Sequence, residues 1–440
     1  MQSFANTVNG RPVTSSSSFE SKNPATGETL GLVPRSTREQ VAEAIAAARA
    51  AQPAWAALPD EKRCALLQQV ADVLKDNADA LAQWVTREQG KPLGGVGPGQ
   101  VPGSRFELWG CEAWTRVPAS LPMPVDVAFE DDTRRDELHR KPFGVIAAIA
   151  PWNWPLMIAI WQIIPSLRAG NTVVLKPSEY TSIGTLEMVR LIAAVLPAGV
   201  LNTVSGDGEV GAALVDNPGV DKIMFTGSGA TGAKIAAVAA KHLTPTTMEL
   251  GGNDAAIVLD DAVVTELKAL ATAMPMGDGM KPETVIGPIQ NGMQFKKVSD
   301  LVDQARQGGA TIVCGGKAPG GPGYFYPLTL VTDIGDGASL VDQEQFGPVL
   351  PIIKYRSVDE AVASANRLDV GLGASVWSRD VAKAKAVATR LQAGTVWINQ
   401  HGMVHPMVPF GGSKKSGWGV EFGAEGLKAV TQPQVISVPK

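Results

Sequence analysis

The chain has 440 residues, 45% hydrophobic and 19% charged, which suits a globular protein of two or three domains with a core of ordinary size. Its net charge of −4, with both signs interspersed, argues against nucleic acid or an anionic membrane as partner. Three cysteines, Cys64, Cys111 and Cys314, are odd in number and far apart; they fit neither a disulfide framework nor a metal cluster, so no metal is expected, and they suit a reducing cytoplasm.

The first 35 residues are polar and turn-rich and read as an edge hairpin or arm, with no basic or apolar leader pattern at the start. Ser36-Thr37-Arg38-Glu39 reads as an N-cap box opening an alanine-rich amphipathic helix toward Ala57. A second helix follows Pro59 and carries Leu66, Leu67, Val70, Val73 and Leu74 on one face, and Ala78 to Glu88 continues helically. The glycine- and proline-rich stretch 94–103 breaks the pattern and has no functional reading. Residues 143–166 carry no charge and are long enough to cross a bilayer. Pro151, Asn153 and Pro155 interrupt them, so a buried strand, a tight turn and a buried helix are expected instead.

From residue 141 strands and helices alternate: VIAAIA, a helix from Pro155, TVVLK, a helix through Met188, then LNTVSG and KIMFTG, each leading into a glycine-punctuated helix start. Such alternation means a parallel sheet covered on both faces. The C-terminal half repeats it with ATIVCGG, a helix near 359–367, ASVWS, a helix near 380–392 and GTVWIN. The last residues, AVTQPQVISV, read as a strand of the kind that pairs outside its own domain.

Several segments are candidates for chemistry. Pro151-Trp152-Asn153-Trp154-Pro155 sits where a parallel strand gives way to a helix, where ligands bind in open α/β sheets, and an asparagine there can donate to a developing oxyanion. The same residues also suit a proline-stiffened turn with buried tryptophans. Lys176-Pro177-Ser178-Glu179 offers a lysine and a glutamate for the hydroxyls of a ribose, or a solvated charge pair. Gly206-Asp207-Gly208-Glu209-Val210-Gly211 matches a dinucleotide pattern but lacks a clear acidic partner downstream; a helix-capping turn explains it equally well. Phe225-Thr226-Gly227-Ser228 opens a second glycine-rich turn whose amides suit a phosphate. Glu249 precedes Leu250-Gly251-Gly252, where a buried glutamate with a raised pKa suits a general base. Glu344-Gln345-Phe346-Gly347 and Pro409-Phe410-Gly411-Gly412 are aromatic-glycine loops.

Taken in order, PWNWP, KPSE, FTGS, ELGG, EQFGPV and PFGGSKKSG resemble the NAD(P)-dependent aldehyde dehydrogenase superfamily over nearly the whole chain. The resemblance implies an α/β fold of two doubly wound parallel-sheet domains plus a small β oligomerisation element. The NAD-binding domain would span 1–121 and 141–251, the catalytic domain 252–417, and the oligomerisation element a hairpin near 122–140 plus 418–440. It implies Asn153 as the oxyanion asparagine and Glu249 as the base that activates water for deacylation. It implies a cofactor site of Trp152, Lys176, Ser178, Glu179, Gly208, Phe225, Thr226, Gly227, Ser228, Leu250, Glu344 and Phe346. Glu179 would repel a 2′-phosphate, so NAD is expected over NADP. Trp154, Ile158, Trp161 and Phe410 would line a substrate tunnel suited to aromatic or medium-chain aliphatic aldehydes, with His401 and His405 near it or capping a loop. A homodimer or homotetramer would follow.

In that family a cysteine thiolate attacks the aldehyde, hydride leaves for the nicotinamide, and the thioester is hydrolysed. The chain departs from the pattern here. Where the family carries a helix, a G-Q-x-C loop with the nucleophile, a strand and a further helix, Asp260-Asp261-Ala262 runs straight into VVTELKALATAM, and no cysteine aligns with the nucleophile. Two readings compete: an NAD-binding, catalytically inactive relative or scaffold subunit, or a native polypeptide that carries the segment between Ala262 and Val263. The second is favoured, because removing a buried helix and a core strand bares a large apolar face against a folding stability of only about 5–15 kcal/mol.

Overall fold

The computed structural model describes residues 1–94, 102–123, 125–260 and 267–440. Most of the glycine-rich stretch 94–103 and the junction at 262/263 lie outside the described residues. The N-terminal arm is two antiparallel hairpins, β1 (Asn6–Val8) with β2 (Arg11–Val13), and β3 (Ser18–Lys22) with β4 (Thr29–Pro34). Asn9-Gly10 turns the first with φ of 51° and 71°, the positive values a tight hairpin needs. Its strand is held by Thr7 N–H donating to Thr203 Oγ1 at 2.7 Å. Helix α1 (Arg38–Ala56) starts one residue later than the sequence suggests. Thr37 is the cap, with Gln40 closing the box, because the Ser36 hydroxyl is already engaged by Asn6 Nδ2 and Ser205 N. Helices α2 (Asp60–Asp76), α3 (Ala78–Gln89) and α4 (Ser104–Ser120) follow, α3 ending on left-handed Gly90.

Strands β5 (Asp126–Glu130) and β6 (Arg134–Pro142) form the hairpin expected near 122–140. Then come β7 (Val145–Ile149), α5 (Pro155–Arg168), β8 (Thr172–Lys176), α6 (Ser182–Ala193), β9 (Leu201–Thr203), α7 (Gly208–Val215), β10 (Lys222–Thr226), α8 (Gly229–His242) and β11 (Thr246–Glu249). These strands order as β11-β10-β7-β8-β9, all parallel. Strand β7 and helix α5 are buried throughout, which accounts for the uncharged stretch 143–166. Among the described residues no helix is long and apolar enough to cross a membrane. Two apolar clusters sandwich the sheet, one under α2, α4, α5 and α6, the other under α1, α7 and α8. The chain winds outward from β7 in both directions, so the crevice of the sheet opens at the carboxyl ends of β7 and β10.

The second half contains β12 (Ala255–Val258), α9 (Leu267–Ala273), α10 (Gly292–Gln307), β13 (Thr311–Cys314), β14 (Thr329–Thr332), α11 (Ser339–Asp342), β15 (Val349–Pro351), α12 (Val358–Asn366), β16 (Val370–Gly371), β17 (Gly373–Trp377), α13 (Val381–Ala388) and β18 (Thr395–Ile398). Its strands lie in separate small sheets: β12-β17-β18, all parallel; β13-β14-β15, whose first pair is antiparallel; and a two-stranded pairing of β16 with β19 (Ser413–Lys414). Helix α13 ends four residues before the expected 392, because Asn366 accepts from Gln392 N and donates to the Arg390 carbonyl, turning the chain. Strand β20 (Gly417–Trp418) pairs antiparallel with β11, α14 (Gly423–Ala429) follows, and β21 (Thr431–Pro439) lies along β6, giving the sheet β21-β6-β5.

Candidate active site

The turn after β7 is built by a buried ion pair. Lys91 Nζ donates to Glu107 Oε2 and to the Asn153 carbonyl, each at 2.7 Å, and lies 3.6 Å above the Trp154 ring. Glu107 is fully buried, and its other oxygen accepts from Leu156 N and Met157 N, the first free amides of α5. Asn153 is thus held at the mouth of the sheet's crevice. Its Oδ1 is buried and without a hydrogen-bond partner. Beside it, Trp152 meets Phe346 edge-on at 5.2 Å. Phe346 has φ of 45°, a left-handed conformation unusual for a bulky residue. A cavity of about 380 Å³ lies between Trp152, Asn153 and Phe346 on one side and Gln89, Gln290 and the segment 286–289 on the other.

The next loop along the rim carries Lys176, Ser178 and Glu179. Lys176 is 4% exposed; its ammonium donates to the Pro177 carbonyl at 3.0 Å and stands 3.8 Å from Glu179. Burial pulls its pKa down and Glu179 holds it up. Ser178 is buried and accepts from Tyr180 N. Past β10, the Thr226 hydroxyl accepts from Gln162 Nε2, Gly227 N donates to the Glu249 carbonyl, and Ser228 caps α8. Gly208 opens α7 behind the Asp207 cap, and a side chain at Gly208 or Gly229 would meet only open space. The Phe225 and Leu250 side chains lie in the core beneath, so only their backbones reach the rim.

Glu249 ends β11, in register with Thr226 of β10. It is 5% exposed, and neither carboxylate oxygen has a hydrogen-bond partner. Burial drives its pKa well up and the neighbouring Glu421 carboxyl drives it further; Glu421 is raised by burial too. Two such carboxyls hold at least one proton near neutrality, which suits proton exchange with a water. Glu344 approaches the ELGG turn: its Oε1 accepts from Gly252 N at 3.2 Å, and a Cβ on Gly251 would collide with its carboxylate.

An aromatic wall closes one side. Phe422 contacts Trp161 at 4.6 Å, Trp114 at 5.5 Å and Phe410 at 5.9 Å, while Trp154 packs on Phe106. Ile158 is buried in the same cluster. His405 accepts from Met407 N, capping its loop, and His401 stands 3.7 Å from Asp254 against Trp397. The three thiols are free and lie elsewhere: Cys64 on α2, Cys111 buried in α4, Cys314 in β13. Burial raises Cys64 and Cys111, keeping them as thiols.

The sequence motifs omit Lys91, Glu107, Trp114, Glu421 and Phe422. A signal exists for some of them: Glu107, Cys111 and Trp114 recur at helical spacing, so a glutamate falls on the apolar stripe of α4.

The aldehyde dehydrogenase family model matches residues 12–265 and 261–436. The putative aldehyde dehydrogenase FUS7 of Gibberella fujikuroi is 35% identical over 457 positions, covering 98% of this chain and 97% of that protein. A betaine aldehyde dehydrogenase of Rhizobium leguminosarum is 35% identical, covering 96% and 93%. Among solved structures, a putative aldehyde dehydrogenase from Burkholderia cenocepacia superposes with a TM-score of 0.94 at 34% identity, covering 99% of this chain and 97% of that one. The NAD+ complex of an aldehyde dehydrogenase from Bacillus cereus does so with 0.93 at 30% identity, covering 100% and 97%. The two matched stretches of the family model meet at residues 261–265, and the Gibberella alignment runs over more positions than the 440 residues of the chain.

Proposed function

Because this chain belongs to the aldehyde dehydrogenase family, we propose that it serves the NAD-dependent oxidation of an aldehyde to a carboxylic acid. The reading rests on one observation: the Asn153 side chain, whose buried Oδ1 has no partner, the unpartnered Glu249 carboxyl and the Glu344 carboxylate border the carboxyl ends of β7, β10 and β11 and the loops beside them. Asn153 would donate to the oxygen of the aldehyde as charge develops there. Glu249, sharing protons with Glu421, would take a proton from the hydrolytic water.

The residues fit a dinucleotide: helix starts at Gly208 and Gly229 opening on free space, a buried lysine with spare donors at Lys176, and Glu179 and Glu344 as hydroxyl acceptors. NAD bound there supplies the hydride acceptor. Backbone amides of Thr226, Gly227 and Ser228 would face its phosphates, Trp152 and Phe346 would border its nicotinamide end, and Ser178 would stand beside Glu179. The Glu179 charge favours NAD over NADP. Trp154, Ile158, Trp161 and Phe410 would form the substrate wall, apolar and suited to aromatic or medium-chain aldehydes. Further parts of the reading are a cytoplasmic homodimer or homotetramer assembled through β21, the catalytic domain at 252–417 and the NAD-binding domain at 1–121 and 141–251.

The nucleophile of this reading is a cysteine on a segment that the native polypeptide carries between Ala262 and Val263. Among the described residues, β12 has a strand along one edge only and helix α9 has no buried residue, and both support it. A second reading, an NAD-binding subunit without turnover, is favoured by the three thiols lying away from Asn153. An intact mass of the native protein separates them: a value well above 46.1 kDa supports the first, and a value at 46.1 kDa overturns it. Titration with NAD and an NADH assay over a panel of aldehydes complete the test. NAD binding without turnover at 46.1 kDa leaves the second reading standing, and no NAD binding removes both.

A further inference from the structure

The loop bearing Lys176 and Glu179 runs into α6, whose cap residue Thr181 makes no side-chain capping bond. The first amides of that helix are nevertheless satisfied, by a residue from a distant helix. Glu88, at the end of α3 and 1% exposed, accepts from Ile183 N at 2.8 Å and Gly184 N at 3.0 Å. Its Oε1 also accepts from the Ser21 hydroxyl of β3 at 2.6 Å. From the other side Gln290 Nε2 donates to the Tyr180 carbonyl at 2.9 Å and to the Glu88 carbonyl at 3.2 Å. The segment 177–181 is therefore pinned on both flanks by side chains outside the sheet.

We infer that Glu88 is a positioning residue for the adenosine end of the cofactor site, and that its charge state sets the affinity for NAD. The inference rests on the NAD reading of the Lys176–Glu179 loop. The groups facing the carboxylate are the Ser21 hydroxyl and the amides of Ser182, Ile183 and Gly184; none is charged. As a carboxylate Glu88 accepts three hydrogen bonds. Once protonated it must donate one; Ser21 can turn to accept it, and the two helix amides are left with a neutral carboxyl, a weaker acceptor than the carboxylate. Burial, partly offset by these hydrogen bonds, puts that transition at about 7. The cap and the loop ahead of it loosen below that pH, and Lys176 and Glu179 lose their fixed spacing. Full loss of a helix cap corresponds to about fivefold in affinity, which sets the upper size of the effect.

The test is NAD titration of the full chain by tryptophan fluorescence from pH 6 to 8.5. The wild type is expected to weaken, by up to about fivefold, as pH falls through neutrality. Glu88→Gln, which cannot ionise, is expected to bind weakly with no pH step. Ser21→Ala removes one donor to the ionised form, so its step is expected at higher pH; this variant serves even where Glu88→Gln fails to fold. A merely structural role would lower thermal stability in both variants without moving the step. Wild-type binding that is flat across this range, or a step unmoved in Ser21→Ala, overturns the inference and leaves the NAD reading intact. No NAD binding at any pH overturns both.

Discussion

Replacing Lys91 with methionine isolates what the buried pair beneath Asn153 contributes. Methionine fills most of the lysine volume and keeps its contact with Trp154, so packing changes little. What changes is charge and one hydrogen bond: Glu107 is fully buried and its Oε2 loses Lys91, its one ionic partner among the described residues, while the Asn153 carbonyl loses a donor. Removing one member of a buried pair costs about 3–5 kcal/mol. Glu107 keeps the amides of Leu156 and Met157 at the start of α5, which places Lys91→Met near the lower end, about 3 kcal/mol. In Lys91→Met/Glu107→Gln the uncompensated charge is gone, and more than half of the loss should return. Urea unfolding of the four proteins, followed by tryptophan fluorescence at the first transition, measures the cycle. A single-variant loss under about 1 kcal/mol, or a double variant no more stable than Lys91→Met, refutes the buried-charge argument.

Other perturbations probe the rim. Glu249 and Glu421 have folded pKa values raised by burial, so between about pH 4.5 and the raised values the unfolded chain is ionised while the folded pair holds protons. Stability falls as pH rises through that window, and Glu421→Gln is expected to raise Tm by a few degrees more at pH 8 than at pH 5, read by calorimetry. Glu179→Gln removes a negative charge from the loop beside Lys176. NADP affinity should improve relative to NAD by about 1–2 kcal/mol, near tenfold, in paired titrations; an unchanged ratio removes Glu179 from the discrimination.

The sequence discloses the site where the chain obeys local rules. Strand β7 and helix α5 up to Leu167 are uncharged and buried, and the prolines that bound the turn at Asn153 mark it as a deliberate break. Glycine pairs such as Gly251-Gly252 are legible because a side chain there would strike Glu344 or Leu372. The supporting residues are less legible, since their partners are remote in sequence. Glu88 and Lys91 stand beside a glycine at a helix end, where charges are ordinarily solvated. Only the apolar stripe of α3, running Leu81, Val85, Glu88, hints that a carboxylate is buried. Glu421 follows no periodicity; it reaches Glu249 because Phe410 and Glu421 exchange backbone hydrogen bonds. The Ser36 box fails for a similar reason: a hydroxyl that looks free for capping is taken by a strand thirty residues earlier.

The same tertiary dependence bears on the junction after β12. In a sheet of parallel strands each middle strand has both backbone edges paired, and interruption leaves amides bare. Among the described residues β12 pairs only with β17, so one of its edges has no strand beside it, while β17 is paired on both sides by β12 and β18. Helix α9, the first described element after the junction, has no buried residue, and Leu270 is 53% exposed. If the native polypeptide supplies a strand and helix there, the 440-residue chain should exchange β12 amides far faster than β17 amides, as an edge does. A form carrying the segment should protect both strands alike. Hydrogen exchange by mass spectrometry on peptides covering 255–258 and 373–377 reads the difference. Equal protection in the 440-residue chain would mean that the edge of β12 is already covered, and the physical case for a missing strand would fail.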